Sequence, residues 1–502
     1  MKILSAEQIR AADAYTIENE PIASIDLMER ASQACEVWIK KYVDRKTHIH
    51  VFCGKGNNGG DGLAITRLLH EEGYRVNCHI IHFIEFGSKD FNTNKERLYK
   101  NGIEWNDIHK LEDIPILGTN DLIIDAIFGS GLNRPAEGIA SEVIKAMNAS
   151  GVMILSIDIP SGMYCDDNSA NLGNSIVKAT HTLTFQVPKL ALLLPENSEY
   201  SSQWHLLDIG LDKQFISEQA TNNLYTTKEY VLALIGSREK FSHKGSHGHV
   251  FLVSGTKGKM GATILSARAC LRSGVGLLTV HSPNCGYEIL QESVPEAMVD
   301  LNVGDEHLKG SCKVEKRTVG IGPGIGTNEE TAKFLEQLLD QCRSPIVIDA
   351  DALNLLSSHL EFLSKVPENS ILTPHPGEFK GLVGAFQNDT DKLKMLRSFC
   401  ADHKVIMVLK GAHTAICEPS GIIHFNSTGN PGMATGGSGD VLTGIITGLL
   451  AQGQAPINAA ILGVYIHGLS GDLAVKETGE RSLVAGDLVQ HIAHAYLELE
   501  RS

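Results

Sequence analysis

HIHVFCGKGNNGGDGLAITRLLHEEG, residues 48–73, decides the fold of the first half of the chain. HIHVFCG (48–54) is a short apolar run that reads as a buried strand. LAITRLLHEEG (63–73) carries apolar residues at helical spacing, and the turn between them is glycine and asparagine. Downstream the same grammar recurs: DLIIDAIFG (121–129) runs into the loop SGLNRPAEG, and VMILSIDIPSG (152–162) ends in a Pro-Ser-Gly turn. Strands alternating with helices predict α/β layers around mostly parallel sheets. Three strands ending in small-residue loops mark the edge where open sheets of this kind place ligands.

The alternation stops at a polar, weakly periodic segment around residues 212–247 and then restarts. HVFLVSG (249–255), GLLTVHS, TVGIGPG and PIVIDAD read as strands, GATILSARACLRSG and EETAKFLEQLLDQC as helices, and VIMVLKGAHTAIC (405–417) as a strand entering a hairpin. A chain of 502 residues exceeds what one core usually organises. We therefore expect two different α/β domains, 1–218 and 219–502. No apolar run reaches the ~18 residues of a membrane span, and the start lacks the basic and apolar regions of a secretory signal. The net charge of −15 argues against binding to nucleic acid, which needs clustered Lys and Arg. It does not argue against a phosphorylated small molecule, because backbone amides hold phosphate without net positive charge. Ten cysteines without a C-x-x-C pair are expected to be reduced thiols of a cytoplasmic protein.

The first candidate site gathers at the loops. Glycines let the backbone approach a phosphate, and the following helix offers unpaired N–H groups. GKGNNGGDG is neither the dinucleotide fingerprint nor a P-loop, and a tight Gly/Asn turn would explain it equally well. Asp125 lies within an apolar strand and Asp158 at a strand end. A buried carboxylate is costly unless paired or metal-bound, so each is either a cap or ion-pair partner, or part of a shared site.

GKGNNGGDG, D-x-I-F-G-S-G and S-I-D-I-P-S-G together resemble the NAD(P)H-hydrate epimerase family, as does the opening ILSAEQIRAAD…LMERAS. The resemblance implies a Rossmann-like three-layer α/β/α domain. Asn57, Asn58, Gly59, Gly60 and Asp61, with Gly129, Ser130, Gly131, Leu132, Asn133, Arg134 and Pro135, would contact the substrate. Asn58, Asp125 and Ser161 would give oxygen to a potassium ion. Asp158 would bind substrate and act as the acid/base, since inverting the hydroxyl-bearing carbon needs a supplied proton. Lys189, in TFQVPKLALLL, either reaches the phosphates or is an ordinary solvated lysine. The family pattern of Pro-Gly after this lysine is replaced here by Leu190-Ala191.

The second site lies in GNPGMATGGSGD (429–440), where Gly436-Gly437-Ser438-Gly439-Asp440 opens the helix VLTGIITGLLA. Successive amides at a helix start can stabilise charge on a transferring phosphoryl group, with Asp440 as base for a hydroxyl. Simple helix capping is the plain alternative for the Asp. This helix start resembles the ribokinase superfamily. SHKGSHGHVFLVSG, GIGPGIG, VIDADALN, LTPHPGEF, LKGAHT and the GNPGMATGGSGD run together are similar to NAD(P)H-hydrate dehydratase. By that resemblance the second domain is ribokinase-like. Ala262, Gly324, His375 and Asp440 would contact the hydrated dinucleotide, and Lys410, Gly411, Ala412, His413, Thr414 and Gly439 would hold the nucleotide.

The two resemblances imply a bifunctional repair enzyme acting on NADHX and NADPHX. One domain epimerises the R and S hydrates, and the other dehydrates the S hydrate with ADP and magnesium, releasing AMP and phosphate. Relatives of the second domain imply a homo-oligomer, such as a tetramer. The rival readings are a vitamin or sugar kinase whose product keeps its phosphate, and a first domain that only binds.

Overall fold

Residues His48–Cys53 form β1, and every residue after His48 in it is buried, as expected of a strand covered on both faces. It shares a sheet with β2 (Arg75–Ile81), β3 (Trp105–Ile108), β4 (Leu122–Ala126), β5 (Met153–Ile157), β6 (Ala179–Phe185) and β7 (Ser201–Leu207). The order is β3-β2-β1-β4-β5-β6-β7, and every pairing is parallel. Strand order reverses between β1 and β4, the switch point at which doubly wound sheets open a crevice. Side chains of β1 alternate between two cores. Ile49 and Val51 pack with Cys35, Ile39, Leu63 and Ile65 of helices Ser24–Tyr42 and Asn57–Glu71. Phe52 packs on the opposite face with Val143, Ile144 and Met147 of helix Gly138–Ala149. The result is three layers, α/β/α.

A second sheet takes β8 (Asn223–Tyr225), β9 (His249–Val253), β10 (Leu277–Ser282), β11 (Met298–Leu301), β12 (Thr318–Ile321), β13 (Val347–Ile348), β14 (Ile371–Leu372), β15 (Ile406–Leu409), β16 (Ala415–Cys417) and β17 (Ile423–Phe425). Its order is β11-β10-β9-β12-β13-β14-β15-β16-β17-β8. The sheet is parallel from β11 to β15, and β15–β16–β17 form the expected antiparallel hairpins. Helices Ser438–Ala451, Pro456–Thr478 and Ala485–Glu500 bring Val441, Ile445, Ile461 and Ile492 to its largest core.

The computed structural model describes residues 1–171 and 173–501. One compact unit comprises Lys2–Thr221 with Asn388–Thr390. The other comprises Met1, Asn222–Gln387 and the chain from Asp391 onward. Two details differ from the sequence reading. The Asn57–Gly62 run is helical, not a loop, because its amides continue the helix that Gly56 starts. The polar segment 212–247 contains β8, which joins the second sheet beside β17. All ten cysteines are unpaired. Among the described residues no helix is long and apolar enough to cross a membrane.

Candidate active sites

In the first unit the site grows from the carboxyl ends of β1, β4 and β5. Asn57 to Asp61 open helix Asn57–Glu71; the Gly60 N–H already donates to the Gly56 carbonyl at 3.0 Å, so the backbone N–H groups of Asn57, Asn58 and Gly59 are the ones without a partner within the helix. A Cβ on Gly59 would overlap the Gly54 carbonyl oxygen, and glycine there lets the helix start press onto β1. Asp158 follows β5 with φ of +68°, and Gln186 follows β6 with φ of +58°. Such left-handed non-glycine residues gather at functional sites, and both line one cavity of about 320 Å³.

Polar groups from five segments meet in that cavity: Asp13, Asn57, Asp61, Ser130, Asp158 and Lys189. Asp158 Oδ1 lies 2.7 Å from Lys189 Nζ, and its Oδ2 accepts from the Ser130 N–H at 3.1 Å. Lys189 is wholly buried and also donates to the Phe185 carbonyl at 2.9 Å. It is therefore neither a solvated lysine nor a free arm toward phosphate, but the counter-ion of Asp158. Burial raises the Asp158 carboxyl, yet Lys189 and Ser130 outweigh it and hold the group below the ordinary carboxylate range. Its neighbours move the other way. Burial and repulsion from Asp158 push Asp13 up to about 6, against the pull of Lys189. Burial, then Asp158 and Asp13, hold Asp61 well above its usual value.

Of the expected loop Gly129–Pro135, Ser130 reaches the cavity, while Gly131, Asn133 and Arg134 are exposed. Asn58, Asp125 and Ser161 lie behind it. Asn58 Nδ2 donates to the Ile157 carbonyl at 2.9 Å, and its buried Oδ1 has no hydrogen-bond partner. Asp125 Oδ2 accepts from Ser156 Oγ at 2.7 Å and from the Ser161 N–H at 2.9 Å. Burial raises the Asp125 carboxyl despite those bonds.

In the second unit, helix Ser438–Ala451 begins after Gly437, whose φ is +91°. Gly439 and Asp440 sit in its first turn. Lys410, after β15, reaches this helix start: a Cβ on Gly439 would stand 3.4 Å from Lys410 Nζ. The lysine pairs with Asp349 Oδ1 at 2.9 Å and lies 3.9 Å from Glu378 Oε2. Asp349, after β13, also accepts from Thr443 Oγ1 at 2.6 Å. Burial works against the Lys410 charge, but Asp349 and Glu378 hold its value above the ordinary one. Burial and then Asp349 push Asp440 up to about 6, with Lys410 opposing.

The remaining expected residues surround this pair. Gly324 (φ +65°) packs so closely on the start of helix Met260–Arg272 that an added Cβ would lie 3.4 Å from the Ala262 Cβ. Lys259 beside them pairs with Asp351 at 3.0 Å. His375 caps helix Pro376–Val383: its Nδ1 accepts from the Gly377 and Glu378 N–H groups, while Glu378 Oε2 accepts from the His375 N–H. Its ring is exposed. Lys410 to Thr414 form the β15–β16 turn, with Thr414 Oγ1 donating to the Gly411 carbonyl at 3.0 Å. His413 is held there against the Asn426 carbonyl at 3.3 Å. Sequence reasoning missed Asp13, Lys259, Asp349, Asp351 and Glu378 as individual residues. The strand-end carboxylate signal that selected Asp125 and Asp158 also applies to Asp349 and Asp351 in VIDADALN.

Fold and geometry together define a chain with two α/β enzyme sites, each built where a glycine-rich helix start faces strand-end carboxylates and a lysine paired to one of them. Comparison with known proteins makes the class specific. Residues 24–191 match the family described as YjeF-related protein N-terminus, and residues 250–494 match NAD(P)H-hydrate dehydratase. The bifunctional NAD(P)H-hydrate repair enzyme Nnr of Moorella thermoacetica is 34% identical over 521 residues, covering 100% of this chain and 97% of that protein. Its Escherichia coli K12 counterpart is 32% identical, covering 96% and 92%. The ADP/ATP-dependent NAD(P)H-hydrate dehydratase from Bacillus subtilis, co-crystallised with ATP/Mg2+, is 30% identical with a TM-score of 0.49, covering 56% of this chain and 100% of that one. The chain belongs to the bifunctional NAD(P)H-hydrate repair enzymes, which join an epimerase and a dehydratase. That membership sets aside the kinase reading.

Proposed function

We propose that the cavity of Asp13, Asp61, Asp158 and Lys189 interconverts the two hydrate epimers, and that the helix start at Gly439–Asp440 is where the S hydrate is phosphorylated and dehydrated. The observation that carries the first half is the Asp158–Lys189 pair. Locked as a carboxylate, Asp158 is suited to accept a hydrogen bond from the substrate hydroxyl rather than to supply a proton. The proton comes from a group that still holds it near neutrality. Asp13, pushed up to about 6, faces the same space and is assigned that role. Protonated by Asp13, the hydroxyl leaves as water, the ring nitrogen lone pair stabilises the resulting cation, and water adds back to either face as its proton returns to the Asp13 carboxylate. The free helix-start amides of Asn57, Asn58 and Gly59, with the Gly129–Pro135 loop, hold the phosphates.

A potassium ion fits behind this cavity. The buried Asn58 Oδ1 without a donor and the buried Asp125 carboxylate are hard oxygen ligands, and Ser161 adds a hydroxyl. Held by Asn58, Asp125 and Ser161, the ion would supply positive charge to the site and tie the three segments together.

In the second unit Asp440 removes the proton of the substrate hydroxyl as the β-phosphoryl group of ADP is transferred to it, with Lys410 and the helix-start amides facing the developing charge. The new phosphate ester then leaves as the ring nitrogen donates its lone pair, and loss of the neighbouring ring proton restores the dihydropyridine. The products are NAD(P)H, AMP and phosphate. Magnesium, carried on the nucleotide phosphates, would neutralise their charge, and the carboxylates of Asp349 and Asp351, both of which act on Asp440, would offer it hard oxygen ligands. Ten unpaired cysteines fit a reducing compartment, and we place the protein in the cytoplasm. The test is stoichiometry: one AMP and one free phosphate should appear per NADH recovered. Phosphate retained on the dinucleotide would refute the dehydratase chemistry.

A further inference from the structure

At the end of the first sheet remote from its cavity, three metal-binding side chains stand together. His48 and His50 occupy alternate positions of β1 and so share one face. β4 runs parallel beside them with Ile49 opposite Leu122, which sets Asp121 next to His48. His48 Nδ1 lies 3.7 Å from Asp121 Oδ1, and His50 Nε2 lies 3.3 Å from Asp121 Oδ2. One ligand atom from each of the three falls within 4.8 Å of the others.

Hydrogen bonding within the sheet leaves this cluster unfinished. His50 is 3% exposed, yet its Nε2 makes no hydrogen bond, and the buried His48 Nε2 makes none either. On the other side of the His50 ring, Nδ1 stands 3.0 Å from His79 Nε2. If His50 Nδ1 donates to His79, the bare Nε2 lone pair points at a carboxylate. That juxtaposition is repulsive unless a cation lies between them. A histidine that donates from one nitrogen and offers the other is the usual arrangement of a metal ligand with its supporting partner. The Gly118 N–H donates to Asp121 Oδ2 at 2.7 Å, fixing the carboxylate while leaving it further lone pairs. The opposing charge is Arg75, across from His48 on β2 and exposed. Side chains of His48 and Asp121 are 16% and 15% exposed, so an ion from solvent can reach the cluster.

We propose that His48, His50 and Asp121 bind a divalent transition cation of the zinc type, with a water completing the coordination. Imidazole and carboxylate together suit that class of ion, whereas magnesium and potassium prefer all-oxygen sites. The site lies roughly 13–20 Å along the strand from Gly54, where the glycine-rich run begins, at about 3.3 Å per residue, and is separate from the reaction. Its effect is to cross-link the beginnings of β1 and β4, segments about seventy residues apart in the chain, and so to stabilise the first unit.

The test uses the chelator-stripped full-length protein in buffer with excess potassium and magnesium, which saturate hard-cation sites. Titration with Zn2+ by calorimetry, and with Co2+ by its visible d–d bands, should show one ion per chain. Zn2+ should raise the melting temperature of the first unit. Asp121→Asn, at a partly exposed position, should weaken binding by about tenfold or more and abolish the thermal shift. His50→Ala should do the same if it folds. Wild-type stoichiometry and affinity in Asp121→Asn, or no Zn2+ bound by the wild type, would overturn the assignment.

Discussion

Asp158 and Asp440 share a residue type and a location at glycine-rich strand or helix ends, but their surroundings set them apart. Lys189 keeps Asp158 ionised, whereas burial, and after it Asp349 and Asp351, pushes Asp440 up to about 6. Asp158→Asn should abolish epimerisation and leave dehydration of the S hydrate intact, as followed by chiral separation of the epimers. Lys189→Met should cost the first unit about 3–5 kcal/mol in urea unfolding, because it strands a buried carboxylate. Asp440→Asn should stop dehydration while nucleotide binding, measured by calorimetry, survives. Because a base must be deprotonated, wild-type dehydration should rise with pH through about 6 and then level off. The stability sign is opposite. A raised carboxyl pKa contributes stability at low pH that disappears as pH rises through about 6. Asp440→Asn should therefore stabilise the second unit at pH 8 by about 1–2 kcal/mol, discounted for partial exposure, and not at pH 4. Equal melting temperatures at pH 8 would contradict that reading.

At the scale of elements, the strands of the first unit were legible because a parallel strand buried on both faces is a nearly continuous apolar run. HIHVFC and LIIDA read that way. The Asn57–Gly62 helical turn was not legible. Glycine and asparagine favour loops locally, and only the fit of Gly59 against the Gly54 carbonyl favours the helix. Gly59→Ala should accordingly abolish epimerase activity and lower the melting temperature of the first unit, with the dehydratase unaffected. β8 escaped notice because three half-buried residues, Asn-Leu-Tyr, carry no periodicity. His375 shows how one residue serves two readings: its capping bonds are structural, and its exposed ring remains available to substrate. His375→Ala should cost about 1 kcal/mol in stability, and a rise in KM beyond that loss would mark the substrate contact.

For the whole molecule, joining the two activities in one chain follows from their chemistry. Dehydration that accepts one epimer leaves the other behind, and an epimerase returns it to the usable pool. The motifs that name these activities were readable because phosphate chemistry constrains backbone, and glycine runs at strand ends survive as text. The ion pairs that tune the groups were not, since Asp158 meets Lys189 and Asp349 meets Lys410 across distances in sequence that no local pattern encodes.

The most direct test follows the return of dihydronicotinamide absorbance from a mixed-epimer NADHX pool supplied with ADP and magnesium. The wild type should recover all of it, Asp158→Asn should stall when the S hydrate is exhausted, and Asp440→Asn should recover none. Full recovery by Asp440→Asn, or recovery by Asp158→Asn at the wild-type rate to completion, would contradict the division of labour between the two sites.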